Sequence, residues 1–412
     1  MDNDDVNFIK KYNITYKEII PSDLSKKYNY DSLTIFYLFY VDLFEEMQPD
    51  AIVVPHELGY AFYAVQVAKA LKIPTYHIQH GLWGANKYDE NYYGIKKDIK
   101  RIIKKKINFR KVINFLLNTI NTGSSNVIPE SLKKHKINLI SNPREGYPVF
   151  ADKFALCGPY YEKLTRHHLK NTINDKIEAI GYLRLDNLIR EKSITKDQLY
   201  KDYGFKEDSK MALYFYSPFQ DQPHFYNYLN YDPDKALLDG ILTLKKIDNK
   251  FNILVLLHPL FKFDYYTKKI RTKLIELKID RVIVDRARNN HAQLYKNSSI
   301  VIGIKSACLY EAMLFNVPVV VQQYVLTKIL DPQLFDYGAA APVFSPDQLE
   351  AKIKKALFDD DFRKCMFQNQ KKLCTDLMGP FDGKSGVRAA KSILKFISGF
   401  DDNTVKKNNK FK

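Results

Sequence analysis

A chain of 412 residues with 45% hydrophobic and 14% aromatic content is too apolar to be disordered. It is also too long for one small core, so two domains of roughly 200 residues each are expected. The net charge of +17 points to acidic partners, and the four cysteines at 157, 308, 365 and 374 form no CxxC pair, which argues against a zinc site or a disulfide framework and makes a reducing cytoplasm the default.

In chain order, SLTIFYLFYVDLFEEM reads as an apolar helix that Gln48-Pro49-Asp50 ends. AIVVP is a short buried strand, HELGYAFYAVQVAKALK a loop and an amphipathic helix, and IPTYHIQHG a second strand closed by a turn at Gly81. The loops leaving these strands carry His56, Glu57, Gln79 and His80, at the edge of a parallel sheet where ligands collect. GIKKDIKRIIKKKINFRKVINFLLNTI sets an apolar helical stripe against a dense basic face. Its part from 96 to 111 fits a helix lying on an anionic bilayer, and equally a plain solvated face. No apolar run is long enough to span a membrane, and MDNDDVNFIKK has no signal-peptide core. ADKFALCG is a strand followed by a helix, KIEAIGYLRLDNL a strand and turn, and 190–206 a charged linker.

A second series starts at MALYFYSP, a strand. A helix over 233–247, the strand NILVLLHP, a helix over 264–278, the strand RVIVD and a short helix over 290–297 follow. VIGIKSACLYEAMLFNVPVVV then reads as strand, loop, helix, strand, with Ser306 as the helix cap and Asn316 at its end. Free N–H groups at that helix start favour phosphate, and Lys305 adds a charge beside them. Helices over 346–358, 360–376 and 385–399 close the chain, and the basic tail VKKNNKFK is expected to be disordered. The alternation predicts an α/β protein with two Rossmann-like, doubly wound parallel sheets facing a cleft. Residues 1–205 form the first domain, 206–384 the second, and 401–412 the tail.

Several side chains suit chemistry at that cleft. His80 titrates near neutrality and can take a proton from a hydroxyl, or can simply hold the turn before Gly81; Glu57 is the reserve base. His258, before Pro259, can offset charge on a leaving phosphate or merely finish a strand. Arg184 can clamp a phosphate or pair with Asp186 nearby. Ser217 and Gln220 lie in the loop after the first strand of the second domain, within reach of the same phosphate. Glu311, one turn into its helix, can bond ribose hydroxyls or favour the helix dipole. His56 and His77 are expected to be structural, and no acidic cluster suited to a catalytic divalent ion stands out.

The order QHG, ADKFALCG, GYLRLD, a His-Pro pair ending a strand and KSACLYEA resembles the GT-B glycosyltransferase superfamily over roughly residues 50–390. Within it the resemblance is to bacterial capsule and lipopolysaccharide transferases and to teichoic-acid-type glycerophosphotransferases. It implies His80 on the acceptor side as the base and His258 on the donor phosphate. Ser306 and Ala307 would lie at the phosphate-binding helix start, Glu311 on the donor ribose, and the helix over 385–400 would cross back to the first domain. Two departures stand out. Lys305-Ser306 replaces a pair of hydroxyl residues, and Val319 stands where some retaining enzymes carry a second glutamate. The implied activity is inverting, metal-independent sugar transfer to a bacterial surface polysaccharide, with a nucleotide-sugar donor as substrate and no separate cofactor. The His-Pro pair goes with CMP- or CDP-linked donors. The acceptor would be a saccharide or a lipid-linked one, met in the cytoplasm or on the inner face of the plasma membrane; no nucleic-acid recognition motif is present. Glycerol- or polyol-phosphate transfer, a nucleotide-sugar 2-epimerase (whose Arg-Glu-Glu run is missing here) and a non-enzymatic membrane-surface binding protein are the alternatives.

Overall fold

The computed structural model describes residues 32–55, 60–79, 82, 129–137, 151–168, 176–216, 232–257, 263–286, 290–304, 306–322, 324 and 332–408. The first series of elements is α1 (Ser32–Met47), β1 (Ile52–Val54), α2 (Tyr60–Ala70), β2 (Thr75–Ile78), α3 (Glu130–Lys134), β3 (Lys153–Leu156), α4 (Pro159–His168) and β4 (Ile177–Ala179). Its four strands form one sheet in the order β1-β2-β3-β4. Then come α5 (Arg184–Arg190) and α6 (Lys196–Tyr203).

The second series is β5 (Met211–Tyr216), α7 (Pro233–Ile247), β6 (Asn252–Leu257), α8 (Phe263–Glu276), β7 (Val282–Arg286), α9 (His291–Asn297), β8 (Ser298–Gly303), α10 (Ala307–Met313) and β9 (Val319–Gln322). It continues with α11 (Pro332–Asp336), β10 (Ala341–Val343), α12 (Pro346–Phe358), α13 (Asp360–Met378) and α14 (Ser385–Asn408). Its six strands run parallel in the order β10-β9-β8-β5-β6-β7. The fold is therefore α/β with two parallel sheets, as the alternation predicts.

By contacts the described chain divides into two compact units, one within residues 1–77, 101–153 and 399–412, the other within 78–100 and 154–398. In the first unit α1 and α2 share a core of Tyr37, Val41, Phe44, Ala64, Val67 and Ala68, closed by Leu132 and Ile137. Asp152 Oδ2 accepts from the Thr75 amide at 3.0 Å and from the Thr75 hydroxyl at 2.7 Å. In the second unit every residue of β5 and β6 is buried, which is why MALYFY and, after Asn252, ILVLL read as unbroken apolar runs. Tyr214 and Tyr216 of β5 pack with Leu237, Ile241, Leu349 and Ile353 of α7 and α12. Gln370 of α13, fully buried, donates to the carbonyls of Val317 and Ala339 at 3.1 Å each, fixing the entries to β9 and β10.

The structure departs from the sequence reading in several places. Residues 190–206 are not a linker. They hold α6, capped by Thr195, whose hydroxyl accepts from the Gln198 amide, and by Gly204 at φ 68°. Leu199, Tyr200 and Tyr203 give α6 its buried face behind a charged exterior. The turn read after β4 is the helix α5. β10 and α11 were not anticipated; β10 is three residues long with Pro342 at its centre, tolerable because it is an edge strand. α14 runs into the tail expected to be disordered, as far as Asn408. Its start packs back on the β4 strand, where Ser392 donates to Glu178 at 2.6 Å and Arg388 Nε to the Ile180 carbonyl at 2.6 Å. Among the described residues no helix is long and apolar enough to cross a membrane. The basic stretch 96–111 lies outside them.

Candidate functional site

The strand order of the six-stranded sheet reverses between β5 and β8. In an open parallel sheet the crevice beyond the carboxyl ends of two such strands is where ligands bind. β8 leads into it through Gly303 and Ile304. Ser306 then caps α10, its Oγ accepting from the Cys308 amide at 3.2 Å. Gly303 is closely packed: a Cβ there would stand 3.0 Å from Leu309 Cδ2, so that side chain would have to give by a few tenths of an ångström.

α10 carries Glu311 on its inner face, fully buried. Tyr295 of α9 donates its hydroxyl to Glu311 Oε2 at 3.0 Å. Arg184, the first residue of α5, brings Nε to 2.7 Å from Oε1. That contact is an ion pair without hydrogen-bond alignment, so among the described residues Oε1 has no aligned donor. Burial lifts the Glu311 carboxyl above its ordinary value, and the opposing pull of Arg184 and Tyr295 does not cancel the effect. Burial and the neighbouring Arg184 charge push His291 down to about 4, so its ring is neutral at pH 7. Burial, and then Glu311, push the Cys308 thiol up to about 11, which keeps it protonated.

Arg184 is tied in by what surrounds it. Asp186, the local partner open to Arg184 on sequence grounds, points elsewhere. Its two oxygens accept from the amides of Ser385 at 3.0 Å and Gly386 at 2.8 Å, capping α14 from outside. Glu191 does the same for α9, accepting from the amides of Ala292 at 3.0 Å and Gln293 at 2.9 Å. Asn290, in the cap position of α9, instead accepts from the Tyr203 hydroxyl at 3.3 Å. Segment 184–191 thus reaches α10, α14 and α9 through three charged side chains. Replacing Asp186 by Ala removes both bonds at the start of α14 and is expected to cost about 2 kcal/mol, measurable by urea denaturation. A loss near zero would mean that water replaces the carboxylate without penalty.

Of the residues singled out from sequence, Ser306 and Ala307 open α10, and Arg184 and Glu311 are brought together. His80, Glu57, His258, Lys305, Ser217 and Gln220 lie outside the described residues. Gln79, just before His80, is buried, and its Oε1 accepts from the Cys157 amide at 2.9 Å, so the chain leaves β2 from a pinned point. His77, expected to be structural, is buried. Tyr295 and His291 were missed, since nothing in HAQLYKN marks which of its side chains faces a carboxylate. A cavity of about 510 Å³ lined by Lys210, Ser298, Asn316, Arg363 and Lys364 opens at the opposite, amino-terminal edge of the sheet.

No protein-family model matches the sequence, and no curated protein matches it. Solved structures do. The S. aureus MnaA–UDP structure matches with a TM-score of 0.56 at 15% identity, over 95% of this chain and 86% of that one. The UDP-GlcNAc 2-epimerase from Neisseria meningitidis bound to UDP-GlcNAc matches at 0.53 and 16% identity, over 93% and 84%. A glycosyltransferase from Rickettsia africae matches at 0.51 and 12% identity, over 95% and 88%. At such identities the likeness is one of architecture, and the chain has the GT-B-like fold.

Proposed function

We propose that the chain is a nucleotide-sugar enzyme that transfers the sugar to a growing bacterial surface polysaccharide. The observation that carries this reading is the pairing of half-exposed Arg184 with buried Glu311 beside the Ser306-capped helix at the switch point of the six-stranded sheet. A buried carboxylate is costly to a fold, and this one sits where ligands of such sheets bind.

The reaction would be a single inverting displacement. His80, with Glu57 in reserve, takes the proton of the acceptor hydroxyl as its oxygen attacks the anomeric carbon. The bond from that carbon to the nucleotide phosphate breaks. His258, Lys305, Ser306, the Ala307 amide, Ser217 and Gln220 offset the charge that develops on the phosphate, in place of a metal ion. A cytidine donor is suggested by the His-Pro pair, and a uridine donor by the UDP-containing structures of like fold. The basic stretch 96–111 would seat the enzyme on an anionic bilayer beside a lipid-linked acceptor.

A thermal-shift panel with CMP, CDP, UDP, GDP and ADP tests the reading. A nucleotide at 100 times its dissociation constant should stabilise the chain by about 2.7 kcal/mol, and His258→Ala should abolish that shift. Failure of all five nucleotides to raise the melting temperature would sink the reading. A second reading, a 2-epimerase, is favoured by the several 2-epimerase structures of like fold, matched over 78–90% of their length. It needs no acceptor, so conversion of UDP-GlcNAc alone to its 2-epimer would select it.

A further inference from the structure

Glu311 occupies the position that the resemblance assigns to the ribose, yet its carboxylate is wholly out of solvent and faces groups of its own chain. Arg184 is different. Its side chain is 43% exposed, and Nε is the atom turned to Glu311. Among the described residues no hydrogen bond takes up its two terminal nitrogens. Those nitrogens form the forked edge that binds an oxyanion bidentately. The ion pair holds that edge beside α10, at the carboxyl end of β8.

We propose that Glu311 and Tyr295 are positioning residues: they hold Arg184 so that its outer edge meets the phosphates of the nucleotide donor, and Glu311 does not bind the ribose. The inference rests on the nucleotide-sugar reading above. An unrestrained arginine loses rotamer freedom when it captures a phosphate. Here that loss is incurred on folding, because a buried carboxylate anchored by Tyr295 already fixes the side chain. Among the described residues Oε1 has no aligned donor. An anion drawing on the outer edge would turn the guanidinium and bring Nε–H toward it, since such bonds commonly tighten only in the complex.

Calorimetric titration of UDP, CDP, GDP and ADP, of their nucleosides and of their 2′-deoxy forms tests this on the wild type, Glu311→Gln, Arg184→Gln and the double variant. Glu311→Gln keeps the shape of the side chain and removes its charge. Expected for the best-binding diphosphate is a loss of about tenfold in each single variant. The double variant should be no weaker than Arg184→Gln alone, and the penalty for a missing 2′-hydroxyl should be the same in Glu311→Gln as in the wild type. A general structural defect would not shift the ratio of diphosphate to nucleoside affinity in this way. If Glu311→Gln instead erases the 2′-deoxy penalty and leaves that ratio intact, Glu311 binds ribose; the positioning role is then overturned while the enzyme reading stands. If the wild type binds none of the compounds, both fall.

Discussion

Arg184→Ala is expected to destabilise the chain by about 3 kcal/mol at neutral pH, because it strands a buried carboxylate. Glu311 would keep the Tyr295 hydroxyl at 3.0 Å and lose its only described cation. Burial already raises its carboxyl above 4.5 against the pull of Arg184. Without that pull the folded value rises further, while the unfolded value stays put. A carboxyl whose folded pKa lies above its unfolded one is at its best below the unfolded value, and stability drains away as pH rises through the folded one. The deficit of the variant should therefore be small near pH 4.5 and grow toward pH 8. Urea denaturation across that range reads it directly. Glu311→Gln leaves no buried charge and returns a half-exposed arginine to water, so its cost should stay near 1 kcal/mol with no such pH trend. Parallel pH profiles for wild type and Arg184→Ala would show that the arginine does not support the carboxylate's charge.

Gly158→Ala is the second large effect. A Cβ there would stand 2.5 Å from the Asp376 carbonyl oxygen and 2.6 Å from both the carbonyl carbon and oxygen of Leu377. All three are backbone atoms of the last turn of α13, so no rotamer change relieves them. α4 and α13 would have to separate at a point where Cys157 and Leu377 are buried. Overpacking of this kind costs about 3 kcal/mol or more, seen as a lowered melting temperature. Gly204→Ala is the control: nothing lies within 4 Å of the added atom, and its φ of +68° alone should cost about 1 kcal/mol. Equal melting temperatures for Gly158→Ala and wild type would mean that the two helices do not meet this closely.

Much of the second sheet was legible because β5, β6 and β9 are buried on both faces and its helices are punctuated. α7 spans Pro233–Ile247 as read, since Asp232 caps it, Pro233 opens it and its apolar residues recur at helical spacing. α6 was hidden by its charge: five of its eight positions are polar, and the face formed by Leu199, Tyr200 and Tyr203 shows only once the fold reveals which side faces in. At the site, Ser306 could be read because a cap is a local affair. The Arg184–Glu311 pair could not. Two residues apart on an extended strand, Arg184 and Asp186 would share a face, which makes a local pair look natural. On the helix α5 they diverge, and each finds a partner far along the chain.

The place of β5 in its sheet has a consequence for synthesis. β5 lies between β6 and β8, and β8 is made only after β6, β7 and the helices that join them. As the chain leaves the ribosome, β6 can pair with β5 early. The other edge of β5 then has no native neighbour until Gly303 has emerged. MALYFY, buried along its whole length in the finished fold, is an uncharged and strongly β-prone edge in that interval. Pairings between such distant segments form slowly. The nascent chain therefore carries its stickiest edge open for longest, and a chaperone or fast elongation through β8 would do most to protect it. The same late strand delivers Ser306 and Glu311, so the candidate site is assembled in the step that closes this edge.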